Sequence, residues 1–93
     1  MKAVWNEMVI AESDQTIQIE GNHYFPPNAI KQEFFELSET HTTCPWKGQA
    51  SYYHVKVNGD VNPDAAWYYP NPKEAAKEIK GYTAFWKGVT VKS

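Results

Sequence analysis

Residues 49–59, QASYYHVKVNG, hold the longest strand pattern of the chain and end on a turn signal. Alternate side chains would share a face, with Ala50, Tyr52, His54 and Lys56 on one side and Ser51, Tyr53, Val55 and Val57 on the other. Asn58-Gly59 favours a type I′ hairpin turn, because both central residues of that turn have positive φ. We expect the return strand at residues 65–69, after an irregular connection through residues 60–64. The stretch therefore predicts an antiparallel hairpin in the middle of the chain.

Short strand patterns lie on both sides of this hairpin. They cover residues 2–5, 8–11, 16–20, 23–25, 83–86 and 89–91. Asn6-Glu7 predicts a tight turn between the first two, and Lys87-Gly88 predicts a closing hairpin from the last two. Residues 16–20 alternate strictly, so Ile17 and Ile19 are expected in the core and Glu20 in water. Several short strands at this spacing are typical of a mainly antiparallel β domain.

Two short helices are expected between the strands. Asn28 is a plausible N-cap for a helix at residues 29–32, after Pro26-Pro27. Asn71 and Pro72 favour the start of a second helix at residues 73–79. The polar, hydroxyl-rich residues 38–43 predict a loop. We find no internal repeat or linker and assign residues 1–93 to a single domain.

Length and composition limit the class of protein. A chain of 93 residues and 10.7 kDa, 42% hydrophobic and 15% aromatic, has room for one small core, to which its rings contribute heavily. A net charge of −2 leaves no excess of cations for phosphates, so nucleic acid is not an expected partner. No apolar run approaches the ~20 residues that span a bilayer, and residues 1–11 do not form a signal-peptide core. One cysteine fits a reducing, cytoplasmic location.

Three ordered segments carry a resemblance to a known family. They are residues 42–53, TTCPWKGQASYY; residues 67–72, WYYPNP; and residues 79–85, IKGYTAF. Together they resemble the domain of unknown function 427 family over nearly the whole chain. The resemblance implies a β-tent fold, with two antiparallel sheets packed at a steep angle and small helices at the edges.

The same family is sometimes labelled nucleotidyltransferase-like, and the residues do not support that activity. The chain has no Asp-x-Asp or Asp-x-Glu pair on a plausible strand to hold Mg²⁺, and no glycine loop to hold a triphosphate. β-tent relatives with a structural zinc bind it through two Cys-x-x-Cys pairs, and a single cysteine excludes that site. We therefore predict no cofactor and leave open whether the protein is an enzyme.

An aromatic-lined cleft near residues 44–48 is the leading site hypothesis. A lysine held by a rigid Pro-Trp segment would meet a polar or anionic ligand, while rings would form the walls. We predict ligand binding by Lys47, Trp46, Gly48, Tyr52, Trp67 and Tyr69, and Trp86 belongs to the same aromatic group. The simpler interpretation is that the rings are ordinary core, Lys47 lies over Trp46 and Gly48 serves only the backbone.

Cys44 offers an alternative chemistry, as a nucleophile or redox thiol with His41 as base. Burial as a small apolar side chain is the competing interpretation. We predict no metal site, because only His41 and Cys44 have a usable spacing and residues 60–71 lack the Gly and Glu of a calcium loop. A third hypothesis is a protein-interaction domain that presents an edge strand. The expected partner is thus a small molecule, without membrane or nucleic acid, and the sequence does not indicate an oligomeric state.

Overall fold

The computed structural model describes residues 1–93, and 58% of them lie in strands. This confirms the prediction of a mainly β fold. Nine strands follow one another along the chain: β1 (Lys2–Trp5), β2 (Met8–Glu12), β3 (Ile17–Ile19), β4 (Asn22–Tyr24), β5 (Phe35–Cys44), β6 (Gly48–Val57), β7 (Asp60–Tyr68), β8 (Thr83–Phe85) and β9 (Thr90–Lys92). All strand pairs are antiparallel.

The helical segments are short 3₁₀ turns. They occupy Pro27–Ala29, Gln32–Phe34 and Glu74–Ile79, and the last is interrupted at Ala76, where φ is −123°. The helix predicted at residues 73–79 falls on the last of these turns, whereas the one predicted at residues 29–32 is wrong, because Ile30 and Lys31 are extended and separate the first two turns. None of the segments is an α-helix, since isolated segments this short do not sustain the i to i−4 hydrogen-bond ladder. No helix of the structure is long and apolar enough to cross a membrane.

The strands form three sheets, in place of the two expected from the family resemblance. The largest has the order β5-β6-β7-β8, the second has the order β2-β1-β9, and β3 pairs with β4 alone. Two backbone hydrogen bonds between Phe25 and Thr83 attach the end of β4 to β8. This attachment brings the β3-β4 hairpin beside the largest sheet, where the candidate site lies.

Two hydrophobic clusters cover opposite faces of the largest sheet. Tyr52 belongs to the second cluster, whereas its neighbour Tyr53 packs against the first, as the alternation of a strand requires. The first cluster consists of Ala3, Ile10, Ala11, Phe25, Ile30, Val55, Val57, Ala65, Ala66 and Phe85. The second consists of Tyr24, Ala50, Tyr52, Tyr69, Ala76, Ile79 and Ala84. Its ring-rich composition makes the second face the aromatic one.

Local turn signals are confirmed, whereas three predictions about segments are wrong. Asn58 and Gly59 have φ of 52° and 84°, as a type I′ turn requires. Because this two-residue turn is complete, β7 begins directly after it, and residues 60–64 are part of the return strand instead of an irregular connection. Residues 38–43 are part of β5 instead of a loop, because hydroxyl-rich and β-branched side chains suit an exposed edge strand. Residues 83–91 do not form a closing hairpin: β8 pairs with β7, and β9 pairs with β1.

Candidate functional site

An aromatic cavity of about 160 Å³ opens on the second face of the largest sheet. Five of its seven lining residues are aromatic. The lining comes from β4, β6 and β7, from the connection between β5 and β6, and from the segments after β7 and β8. It consists of Asn22, Tyr24, Lys47, Tyr52, Trp67, Tyr69 and Trp86. A dry cavity of about 150 Å³ accommodates a benzene-sized molecule. The aromatic cavity is therefore large enough for one small ring.

The rings of the cavity support one another edge to face. The ring centroids of Tyr24 and Trp67 are 6.2 Å apart at 88°, and those of Trp67 and Trp86 are 5.7 Å apart at 76°. Tyr52 continues the series, with its centroid 6.4 Å from that of Trp86. Each such pair contributes ~0.5–1.5 kcal/mol beyond the burial of its area. The walls are thus held in place by contacts among themselves.

Lys47 is placed by the short connection between β5 and β6, residues 45–47, which we call the Lys47 turn. The Lys47 carbonyl accepts a hydrogen bond from the Lys73 backbone N–H at 2.9 Å, and the Pro45 carbonyl accepts one from Lys73 Nζ at 2.6 Å. Gly48 closes the turn at a φ of +110°, a conformation that side chains other than glycine rarely adopt. The turn is therefore fixed at both ends against the segment that follows β7.

The Lys47 ammonium group is almost buried, at 8% side-chain exposure, and forms an ion pair with the Glu20 carboxylate. Its Nζ also lies 4.9 Å from the ring centroid of Trp46 and 5.9 Å from that of Tyr69. Burial alone would lower the pKa of Lys47, but the hydrogen bond to Glu20 and the neighbouring acidic groups raise it above its ordinary value. The same hydrogen bond and charge hold the pKa of Glu20 below its ordinary value. Both groups are charged at neutral pH.

Tyr69 contributes a hydroxyl group that has no hydrogen-bond partner within the protein, although the residue is only 5% exposed. All fully buried side-chain polar atoms have partners, so the Tyr69 hydroxyl retains access to the cavity. Burial, reinforced by Tyr24, raises the pKa of Tyr69, which keeps the group protonated as a donor. By contrast, the Tyr52 hydroxyl lies 2.9 Å from Thr42 Oγ1, and that of Tyr24 accepts a hydrogen bond from Trp67 Nε1.

Trp86 is oriented from outside the cavity by Asp64. Its indole Nε1–H donates to the Asp64 carbonyl, and its backbone N–H donates to Ala65. The Asp64 carboxylate accepts hydrogen bonds from Ser38 and Thr40 on β5, which hold its pKa below the ordinary value. Because β5 and β7 are both irregular here, Asp64 joins the two irregular segments and fixes the wall at Trp86.

A comparison with known protein families identifies the family of this chain. The family model described as a domain of unknown function (DUF427), with the label NTP_transf_9, matches residues 1–92. The chain belongs to the DUF427 family. A search of curated proteins gives no match.

In this DUF427 domain, four of the six predicted ligand-binding residues line the aromatic cavity: Lys47, Tyr52, Trp67 and Tyr69. Trp46 and Gly48 do not line it. Trp46 is 38% exposed and lies against the Lys47 ammonium from outside, and Gly48 shapes the turn backbone.

The contribution of β4 to the cavity was not predicted from the sequence. Asn22 and Tyr24 line the cavity, and Glu20, expected only to face water, is the partner of Lys47. Period two does place Asn22 and Tyr24 on one face of β4, but nothing local indicates which sheet that face meets. The sequence indicated that Trp86 belongs to the aromatic group, but not that it lines the cavity.

The two residues proposed for thiol chemistry are not brought together. Cys44 and His41 are three positions apart in a regular part of β5, so their side chains point to opposite faces of the sheet. His41 Nδ1 lies 3.2 Å from Ser51 Oγ. Cys44 is partly buried and packs against the second cluster. The other two histidines have separate partners. His23 Nδ1 lies 3.3 Å from Thr16 Oγ1, and His54 Nδ1 accepts a hydrogen bond from the Asp64 backbone N–H.

Proposed function

We propose that this DUF427 domain binds a small planar molecule with a polar substituent in the aromatic cavity. The rings of Trp67 and Trp86 would contact the faces and edges of the ligand, and Lys47 and Tyr69 would donate hydrogen bonds to its polar group. The observation that carries the proposal is the Tyr69 hydroxyl, a donor without a partner beside an aromatic cavity.

The Tyr69 hydroxyl is a donor that a ligand in the cavity can reach. Every fully buried side-chain polar atom has a hydrogen-bond partner, so the unpartnered Tyr69 hydroxyl is in contact with the open space of the cavity. Phenylalanine would fill the same space but would offer no donor to a ligand. The Lys47 ammonium adds to this argument, because it has three N–H donors and only one hydrogen bond, to Glu20.

The size of the cavity sets the expected affinity. A ring with one polar substituent has about nine non-hydrogen atoms, and ligands of moderate efficiency gain ~0.3–0.6 kcal/mol per atom. The corresponding Kd is on the order of 0.1–10 mM. Ligands should therefore be screened at millimolar concentration, with monocyclic aromatic carboxylates, amides and alcohols.

The test is a thermal-shift screen followed by titration of the hits against Tyr69→Phe, with Tyr53→Phe as the matched control on the opposite face of the sheet. Tyr69→Phe should leave the free energy of unfolding within ~0.5 kcal/mol of the original, because its hydroxyl has no partner to lose. It should weaken the binding of hits about three- to tenfold, the contribution of one hydrogen bond. Tyr53→Phe should leave the affinity unchanged.

Two results would contradict the proposal. One is a screen in which no compound shifts the melting temperature at 10 mM, a concentration of about the upper limit expected for Kd. The other is a set of hits whose affinities are the same in the Tyr69→Phe and Tyr53→Phe variants and also survive replacement of Trp67 by leucine. The ligands would then bind elsewhere on the molecule.

A further inference from the structure

The ion pair at the edge of the aromatic cavity is asymmetric. The Lys47 side chain is 8% exposed, whereas that of Glu20 is 56% exposed. We infer that Glu20 is an internal counterion that a ligand carboxylate displaces, so that the cavity selects a planar aromatic carboxylate over its neutral analogue. This inference rests on the proposed function, because it names the chemical class of the ligand and the residue that competes with it.

The buried Lys47 ammonium group requires an anionic partner, whether Glu20 or a ligand supplies it. The ammonium group is removed from water and lies over the rings of Trp46 and Tyr69, with the neutral Tyr24 and Cys44 side chains also nearby. The faces of these rings attract a cation but do not neutralise its charge. A buried ammonium without a counterion is strongly disfavoured. The position next to Lys47 therefore selects for negative charge.

Glu20, in contrast, is free to leave. It lies in the two-residue turn between β3 and β4, where Glu20 and Gly21 have φ of 53° and 81°. Its carboxylate hydrogen-bonds Lys47 and is also stabilised by the Trp46 side chain, itself partly exposed, and more than half of the Glu20 side chain is already in contact with solvent. Rotation of the side chain returns the carboxylate to water without a change in the turn backbone.

Both donors line the cavity that the ligand carboxylate would enter. Tyr69 and Lys47 line the same cavity, and Lys47 Nζ lies 5.9 Å from the Tyr69 ring centroid. A carboxylate has two oxygens that accept hydrogen bonds, one for each of these donors. An amide offers one acceptor, leaves the Glu20 ion pair in place and brings an N–H₂ group toward the Lys47 charge. The same ring should therefore bind more tightly as a carboxylate.

The test compares benzoate with benzamide, which has the same ring and nearly the same shape, by titration followed with NMR or calorimetry. The original protein should bind benzoate more tightly than benzamide. Glu20→Gln removes the competing charge, so it should tighten benzoate binding about tenfold and change benzamide binding less than twofold. Glu7→Gln is the matched control, since Glu7 also lies in a two-residue hairpin turn with positive φ, and it should change neither affinity. Lys47→Met should abolish the preference for benzoate.

The outcomes of this test distinguish a failure of this inference from a failure of the proposed function. Equal binding of benzoate and benzamide, or weaker benzoate binding in Glu20→Gln, would overturn the inference and leave the proposed function standing. Weaker binding would mean that Glu20 holds Lys47 in place. If neither molecule binds the original protein at 10 mM but other rings do, the inference alone fails. If no planar molecule binds at all, the proposed function fails as well. Glu20→Ala provides a second variant, and both variants are at an exposed turn.

Discussion

The Lys47 ammonium group is buried, and only part of its environment could be predicted from the sequence. Lys47 was identifiable in the sequence because a Pro-Trp segment precedes it and a glycine follows it, a pattern typical of a rigid turn. Its partner Glu20 was not identifiable, because it is 27 positions earlier and alternation alone indicated a solvent-facing side chain. Sequence periodicity thus predicts which way a side chain leaves its strand, but not which charge it meets there.

The Glu20–Lys47 ion pair predicts a pH dependence of stability. Because the folded-state pKa of Glu20 is lowered, its contribution should be complete above its ordinary pKa and lost as the pH falls through the lower folded value. Because the folded-state pKa of Lys47 is raised, its contribution should be complete below its ordinary pKa and lost as the pH rises through the higher folded value. Between about pH 5 and pH 10 the pair should be intact.

Urea unfolding of the original protein and Glu20→Gln at several pH values measures this dependence. The difference in free energy of unfolding should favour the original protein and remain constant from pH 5 to pH 9. It should shrink as the pH falls below the ordinary pKa of glutamate and through the lowered pKa of Glu20 in the folded protein. A difference that grows on acidification would contradict the assignment of the pair.

At the scale of elements, turns and hairpins follow from local sequence. Asn6-Glu7 and Asn58-Gly59 both have positive φ at two successive residues, as expected for tight hairpins. Residues 38–43 illustrate the failure of local composition, since hydroxyl groups suit a loop and an exposed edge strand equally well. Burial separates the two, and burial depends on neighbours that are distant in sequence. The Lys47 turn contributes the one charged residue of the cavity lining, Lys47.

Replacement of Gly48 by alanine should be costly because of its backbone conformation. The φ of +110° lies well beyond the left-handed helical region near +57°, whereas the surrounding atoms, 3.4 Å or more from a Cβ, leave room for a methyl group. We expect a loss of about 2–3 kcal/mol in the free energy of unfolding. Gly59→Ala, at a φ of +84° that is closer to that region, should lose only about 1 kcal/mol. Urea unfolding at neutral pH compares them, and equal losses would contradict a backbone at Gly48 that requires glycine.

At the scale of the whole molecule, the arrangement of the sheets could not be predicted from the sequence. β9 returns to pair with β1 from the other end of the chain, and Phe25 bridges to Thr83 to attach the β3-β4 hairpin. Neither contact has a local signal, because each joins segments more than fifty residues apart. The same long-range contacts bring Asn22 and Tyr24 to the cavity. Four of the seven lining residues were therefore predicted from the turn motif and the aromatic strand segments, whereas Asn22 and Tyr24 depended on tertiary pairing.

The four tryptophan side chains allow the binding proposal to be tested within the intact molecule. Trp67 and Trp86 line the aromatic cavity, whereas Trp5 packs against the first cluster, on the other face of the largest sheet. In a titration of ¹⁵N-labelled protein with benzoate and other monocyclic aromatics, the indole N–H signals of Trp67 and Trp86 should move in a saturable way while that of Trp5 stays in place. Signals that do not move, or saturable movement of Trp5 alone, would contradict a binding cavity on the aromatic face.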